Sequence, residues 1–248
     1  VESVYHYYSE NGMINRFFSA SNLSLFVGPK KTHNHLKVLL NEFKCQDYAI
    51  SYEKNGQSQT IPFWMFEEQY LYRVKGTPIV ISKFKNQDII IELVTFAALA
   101  ADGTSLPLMI RAIGITNISS FELKNVAIIS FFANKGNNWT ISAKSDYHIT
   151  FMTDEHNDNQ PYLSYICDTL FDSYSLLKDF DEFSELSVNM QDLIPFSSEF
   201  KIENSNGIAI INKIGDITSG CANVNYFSLV ANDSNNEKEF NGESVHNL

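Results

Sequence analysis

The sequence is short of cysteines, of cations and of long apolar runs, and each shortage removes a class of protein. Its three cysteines, Cys45, Cys167 and Cys221, are odd in number and far apart, so they cannot form a full disulfide framework. No CxxC pair suggests zinc. Buried thiols acting as small hydrophobes are the plain reading, with one disulfide plus one free thiol as the alternative. Lys and Arg number 18 against 29 Asp and Glu, a formal charge of −11, and the one basic cluster is Lys30-Lys31. Such a balance repels phosphate, so neither nucleic acid nor an anionic membrane is an expected partner. A neutral or cationic ligand suits it better. No apolar stretch approaches the ~20 residues that span a bilayer. The first ten residues, VESVYHYYSE, have neither the basic nor the apolar segment of a signal peptide. GxSxG elbows, Walker loops and a GxGxxG after a strand are also missing, and no cofactor is expected.

What the chain has is core-forming material: 44% of its residues are hydrophobic and 13% aromatic. That rules out wholesale disorder, and 248 residues suit one large β domain. Between Thr77 and Asn134 apolar runs and turn signals alternate: Ile79–Phe84, Ile89–Ala97, Leu108–Thr116 and Val126–Ala133 are broken by KNQD, AADG and TNISSFELKN. Short β-rich runs bounded by Asn, Asp and Gly predict consecutive antiparallel strands. The runs at 89–96 and 108–115 are apolar on both faces except at Glu92 and Arg111, which predicts strands covered on both sides. If the two strands are neighbours, Glu92 and Arg111 are placed to pair. Shorter strands are expected within 13–27, 37–43, 48–52, 61–66 and 70–74, with a hairpin turn at Asn55-Gly56 and an edge position at Pro62. Further strands are expected at 139–151, 197–203, 207–213 and 225–230.

One segment departs from this texture. Tyr162, Ile166, Leu170, Tyr174 and Leu177 recur at helical spacing with acidic residues between them, which predicts a short helix near 162–180. The last residues, ANDSNNEKEFNGESVHNL, are polar and weak in β-propensity. The expected organisation is a β-sandwich domain over 1–230 and a polar tail or linker over 231–248.

Candidate chemistry is sparse. His33 and His35, two apart, share one side of a strand, but a metal needs a third ligand and none is near, so no metal site is expected. The oxygen-rich loop 154–160 lacks the glycine and the final glutamate of a calcium loop, and reads as solvated. Carboxylates crowd DFDEFSE at 179–185, yet adjacency in sequence does not show convergence across a cleft, and a solvated face explains them. His148 and His156 are isolated. The sequons at Asn22, Asn117, Asn138 and Asn232 are no more than an Asn- and Ser-rich chain produces by chance. The aromatics Trp64, Phe66, Tyr70, Tyr72 and Trp139 offer flat apolar faces that suit sugar rings, although most aromatics in a sandwich must be core. The segment PFWMFEEQY (62–70) is the best of these, because its rings sit beside acidic groups at an expected strand edge. Trp64, Phe66, Tyr70 and Trp139 are therefore the candidate carbohydrate-binding residues, and no catalytic residue is assigned.

The order of residues in 77–130 resembles the N-terminal β-domain of multidomain glycoside hydrolases and phosphorylases, whose catalytic part is an (α/α)6 barrel. The residues carrying the resemblance are Thr77-Pro78-Ile79-Val80, Phe84, Thr95-Phe96-Ala97, Asp102-Gly103, Leu108, Arg111, Thr116-Asn117 and Asn125-Val126. They span about a quarter of the chain. The resemblance implies an all-β supersandwich of the galactose-mutarotase-like kind, with two large stacked antiparallel sheets. It also implies a non-catalytic accessory module that packs against a downstream helical catalytic domain of the same polypeptide and contacts carbohydrate. The acid and base of such enzymes reside in the barrel, so no catalytic residue carries over. Two other readings stand beside it. One is a surface or structural interaction protein, supported by the acidic, Asn/Ser-rich composition. The other is a stand-alone mutarotase-like enzyme, which needs a His/Glu pair that His33, His35 and His148 do not match.

Overall fold

A computed structural model describes residues 2–8, 43–75, 77, 79–99, 105–134, 139–153, 162–176, 193–205 and 207–232. Among the described residues sixteen strands occur: β1 (Glu2–Tyr8), β2 (Phe43–Lys54), β3 (Gln57–Pro62), β4 (Glu68–Arg73), β5 (Val80–Lys85), β6 (Ile89–Leu99), β7 (Ser105–Asn117) and β8 (Leu123–Asn134) form the first half. The second half comprises β9 (Trp139–Ser145), β10 (His148–Thr153), β11 (Tyr162–Cys167), β12 (Ser173–Leu176), β13 (Ile194–Pro195), β14 (Lys201–Ser205), β15 (Gly207–Ile217) and β16 (Ala222–Asn232). They build a ten-stranded sheet in the order β1-β4-β5-β6-β7-β16-β11-β10-β9-β14 and a six-stranded sheet in the order β13-β12-β15-β8-β2-β3. The registered pairs are antiparallel, and the two sheets are not closed into a barrel. The fold is an all-β, two-sheet antiparallel sandwich, as the strand-and-turn rhythm predicts.

The block from 77 to 134 becomes β5, β6 and β7, three neighbours in the large sheet, followed by β8 in the small one. The chain thus crosses between layers after Asn117. Asn117 makes that crossing rigid: its Nδ2 donates to the carbonyls of Phe121 (2.8 Å) and Ile217 (2.9 Å), and its Oδ1 accepts from the Ser119 N–H. The Asn55-Gly56 turn joins β2 to β3 with both residues at positive φ, 53° and 75°. That is the conformation a two-residue hairpin loop with matching twist requires. Pro62 ends β3, the edge strand of the small sheet, where a missing N–H costs no ladder bond.

The core lies between the sheets and is largely aromatic. Phe132 of β8 meets Phe151 of β10 at 4.7 Å and Tyr165 of β11 at 4.8 Å, centroid to centroid. Tyr48 of β2 meets Phe227 of β16 at 5.9 Å. Near the hairpin end Phe63 packs on Phe84 at 4.8 Å. Each such ring removed from water contributes on the order of 2–3 kcal/mol.

Three expectations need correction. First, over the described residues 162–176 of the expected helix near 162–180, no helix forms. Tyr162–Cys167 is β11, a bend follows, and Ser173–Leu176 is β12. Tyr165, Ile166 and Cys167 are consecutive and all buried, whereas Leu170, a member of the expected helical stripe, is 63% exposed. Two short strands separated by a bend mimicked a 3.6-residue period, and pairing with β16 and β15 decided the conformation. Second, Glu92 and Arg111 do not pair. They do lie on adjacent strands, but Glu92 is opposite Gly114 and Arg111 is opposite Thr95. Their side chains emerge on opposite faces of the sheet: Glu92 is exposed and pairs with Lys83 at 3.3 Å, while Arg111 is buried and lies over the Tyr48 ring at 5.4 Å. Third, β6 and β7 are covered fully on one face only; Ile90, Val94 and Phe96 on the other face of β6, and Ala112 and Gly114 on that of β7, are half-buried. Among the described residues, runs buried on both faces without a break occur in β2 (Asp47–Tyr52), β8 (Val126–Phe132), β11 (Ser164–Cys167) and β15 (Gly207–Asn212).

The strands expected within 13–27 and 37–42, the loop 154–160, the acidic run 179–185, His33, His35 and His156 lie outside the described residues. Strand β16 extends two residues past 230, to Asn232, and 233–248 also lie outside them.

Candidate functional site

The four sequence-predicted sugar-contact residues occupy different environments. Trp64 lies within, and Phe66 directly follows, a short 3-10 turn, Phe63–Met65, between β3 and β4. Pro62 directs the chain out of the edge strand, and Phe63, Trp64 and Phe66 are all buried. Phe66 stands edge-on to Phe63 (6.1 Å) and Phe84 (6.0 Å), inside the main core. Trp64 is 5% exposed and lies 6.1 Å from Phe131. The buried Gln69 amide ties the turn down by donating to the carbonyls of Trp64 (3.2 Å) and Phe66 (3.3 Å). Trp139 is buried at the start of β9, edge-on to Phe151 at 5.5 Å.

Tyr70 is the member of the set with a half-exposed ring. It points to the outer face of the large sheet, because its neighbours Gln69 and Leu71 are buried on the inner one. Tyr72, two residues on, shares that face, and the two rings stack at 5.9 Å with 14° between their planes. The Tyr70 hydroxyl donates to Glu68 at 2.8 Å, and Glu68 also takes Lys85 at 3.2 Å. A stacked pair of rings beside a carboxylate and an ammonium presents a flat apolar surface with hydrogen-bonding groups at its rim.

Several polar groups have the residue types of catalysis but not the access. His148 Nε2 lies 3.0 Å from Ser164 Oγ, a base next to a hydroxyl. Burial, together with the Lys144 charge, lowers the His148 pKa to about 4, so the ring is neutral at neutral pH. Ser164, however, is 1% exposed and offers no approach to a substrate. The same holds for Cys167: burial pushes its thiol up to about 12, outweighing hydrogen bonds from Thr169 that favour the thiolate. It is a protonated, inert thiol. Asn212 braces this corner, donating to the Leu170 carbonyl at 3.2 Å. Among the described residues no group of three or more His, Cys, Asp or Glu side chains is placed to hold a metal ion. No helix among them is long and apolar enough to cross a membrane.

Sequence reasoning included Tyr72 among the chain's flat aromatics but missed Tyr226 and Val224, which stand exposed on β16. The alternation Val224, Asn225, Tyr226, Phe227 shows that two faces exist without showing which one is covered. Asn225 and Phe227 are the buried pair.

No family model matches the chain, and no curated protein matches it. Among solved structures it is similar to a polysaccharide lyase at 11% identity and a TM-score of 0.44, over 75% of this chain and 25% of that one. It is also similar to a chain described as a kojibiose phosphorylase from human microbiome, at 12% identity and a TM-score of 0.41, over 79% of this chain and 23% of that one. The chain spans about a quarter of the length of each. At these identities neither residue roles nor chemistry transfer from those proteins.

Proposed function

We propose that the chain is a non-catalytic accessory β-sandwich module of a carbohydrate-active enzyme of the glycoside hydrolase or phosphorylase kind. In this reading it packs against a helical catalytic domain of the same polypeptide and contacts glycan. The observation that supports it is the course of the 77–130 block. Its described motif residues from Val80 onward run through three adjacent strands of one large antiparallel sheet and then into the centre of a second. A stacked two-sheet sandwich is the fold the sequence resemblance implies. A fold alone does not fix function, and the half-exposed Tyr70–Tyr72 pair adds a surface with the chemistry of a sugar contact.

The test is the coding sequence. The reading frame is expected to continue beyond Leu248 into several hundred residues of helical texture carrying a pair of catalytic carboxylates. A stop codon directly after Leu248 sinks the accessory-module reading. Assayed alone on nitrophenyl glycosides and on oligosaccharides with phosphate, the chain is expected to show no turnover.

A further inference from the structure

The outer face of the large sheet carries two rows of residues in direct register across five strands. One row is Tyr72, Ile81, Val94, Ala112 and Tyr226, from β4 through β5, β6 and β7 to β16. The other, one outward position along each strand, is Tyr70, Lys83, Glu92, Gly114 and Val224. Four inter-strand spacings make each row about 19 Å long.

Both rows are low at β7, the fourth of the five strands. Strand β7 contributes Ala112 and Gly114, so little rises between β6 and β16. A methyl group at Gly114 would meet only the Glu92 carbonyl and Val224 Cγ2, each at 3.8 Å, which is ordinary contact. This makes a trough with a backbone floor. Val224 (52% exposed) and Tyr226 (49% exposed) wall it on the β16 side and Val94 and Glu92 on the β6 side, and the stacked Tyr70–Tyr72 pair stands on the same face three strands from β7.

The face is also electrically balanced, on a chain of formal charge −11. Lys83 pairs with Glu92 at 3.3 Å and Lys85 with Glu68 at 3.2 Å. A nucleic acid or anionic lipid finds no excess of cations there, and a basic protein segment finds no excess of carboxylates. An uncharged ligand that is thin, extended and hydroxyl-rich fits all three properties. Pyranose rings present C–H faces to aromatic rings and hydroxyls at their edges to charged side chains.

We propose that this outer face, with its dip at β7, binds an uncharged, extended glycan chain lying across the five strands. Tyr226 is the stacking platform at one end and Tyr70–Tyr72 at the other, and the Lys83–Glu92 pair exchanges hydrogen bonds with hydroxyls between them. The proposal rests on the carbohydrate reading above and locates its contact surface.

The test is affinity electrophoresis of the purified chain through native gels containing hydroxyethyl cellulose, amylopectin or galactomannan. Retardation is expected in at least one gel. Tyr226→Ala is expected to weaken that binding at least tenfold, and Gly114→Gln, which fills the trough without removing a contact, to do the same. Thermal unfolding midpoints confirm that both variants fold. Absence of retardation in all three gels overturns the proposal. Retardation that both variants leave unchanged also overturns it, while leaving a sugar contact elsewhere on the module intact. A dimer in size-exclusion chromatography that Tyr226→Ala splits into monomers assigns the face to a second copy and overturns it as well. The reading-frame test of the accessory-module reading is independent of all these outcomes.

Discussion

Lys54 and Asp88 close the two sheets against each other at one end of the sandwich. Lys54 ends β2 in the small sheet, and its Nζ lies 2.8 and 2.9 Å from the two carboxylate oxygens of Asp88, in the turn before β6 of the large sheet. The same ammonium sits 4.6 Å above the Phe121 ring. The buried Tyr52 hydroxyl adds a longer bond to Asp88 at 3.3 Å. Asp88 also accepts through its backbone carbonyl from the N–H groups of Ile118 (2.8 Å) and Ser119 (3.1 Å), which joins the β7–β8 crossing to the clamp. Hydrogen bonds to charged groups of this kind contribute about 1.5–3 kcal/mol when partly buried. Asp88→Ala is expected to lower unfolding free energy by about 2 kcal/mol, read from urea midpoints at constant slope. A variant indistinguishable from the parent would show that the clamp is as weak as a surface pair.

His148 gives the fold an acid limit. Its folded pKa of about 4 lies below the ordinary 6.5 because burial, aided by Lys144, disfavours the charged ring. The unfolded chain therefore takes up a proton near pH 6.5 that the native chain refuses until about pH 4. This contribution to stability is complete above pH 6.5 and is lost as pH falls through that window, by up to about 3 kcal/mol. In a two-dimensional NMR titration the His148 ring resonances are expected to shift with a midpoint near 4. His148→Gln is expected to flatten the stability profile between pH 6.5 and 4. A midpoint near 6.5 would contradict the environment described.

The hydrogen bond between Ser130 and Tyr165 spans the interior at 2.7 Å, from the small sheet to the large. The Tyr165 ring is stacked on Phe171 and Phe227, and burial pushes its hydroxyl well above the ordinary value of 10. It acts as a neutral hydrogen-bonding group. Tyr165→Phe leaves the rings in place and removes one partner, at an expected cost of about 1–2 kcal/mol. Ser130→Ala should cost a similar amount, and the double variant less than the sum by about 1 kcal/mol. Strict additivity would mean that the two hydroxyls are not coupled.

The strands were legible in sequence because runs such as Ile89–Phe96 and Val126–Phe132 are too apolar and too β-branched for anything else. The hairpin at Asn55-Gly56 and the edge at Pro62 were legible because those residues have few other uses. The expected helix, replaced over 162–176 by two short strands and a bend, shows where local reading stops. A run of apolar residues four apart is also what two short strands and a bend produce, and only the partners β15 and β16 decide between them. The same holds for the candidate site. PFWMFEEQY looks like an exposed aromatic segment, yet the turn after Pro62 rolls Trp64 and Phe66 into the interior and leaves Tyr70 outside. Tyr226, 156 positions from Tyr70 in sequence, shares its sheet face through three intervening strands. No local pattern records that relationship.

Trp64 separates support from contact in that segment. Its ring is buried against Phe131, and its carbonyl anchors Gln69. Replacing a buried tryptophan by alanine removes the transfer energy of the ring and leaves a cavity, typically 3–5 kcal/mol in all. Trp64→Ala is therefore expected to lower the urea midpoint sharply, whereas Tyr70→Ala, on the half-exposed outer face, should cost about 1 kcal/mol or less. Because Trp139 is buried as well, native fluorescence should be blue-shifted and poorly quenched by acrylamide. Any glycan affinity lost in Trp64→Ala should track the unfolded fraction, while loss in Tyr70→Ala should appear in a fully folded protein. A Trp64→Ala chain that keeps full stability yet loses glycan affinity would move the contact from the outer sheet face to the turn after Pro62.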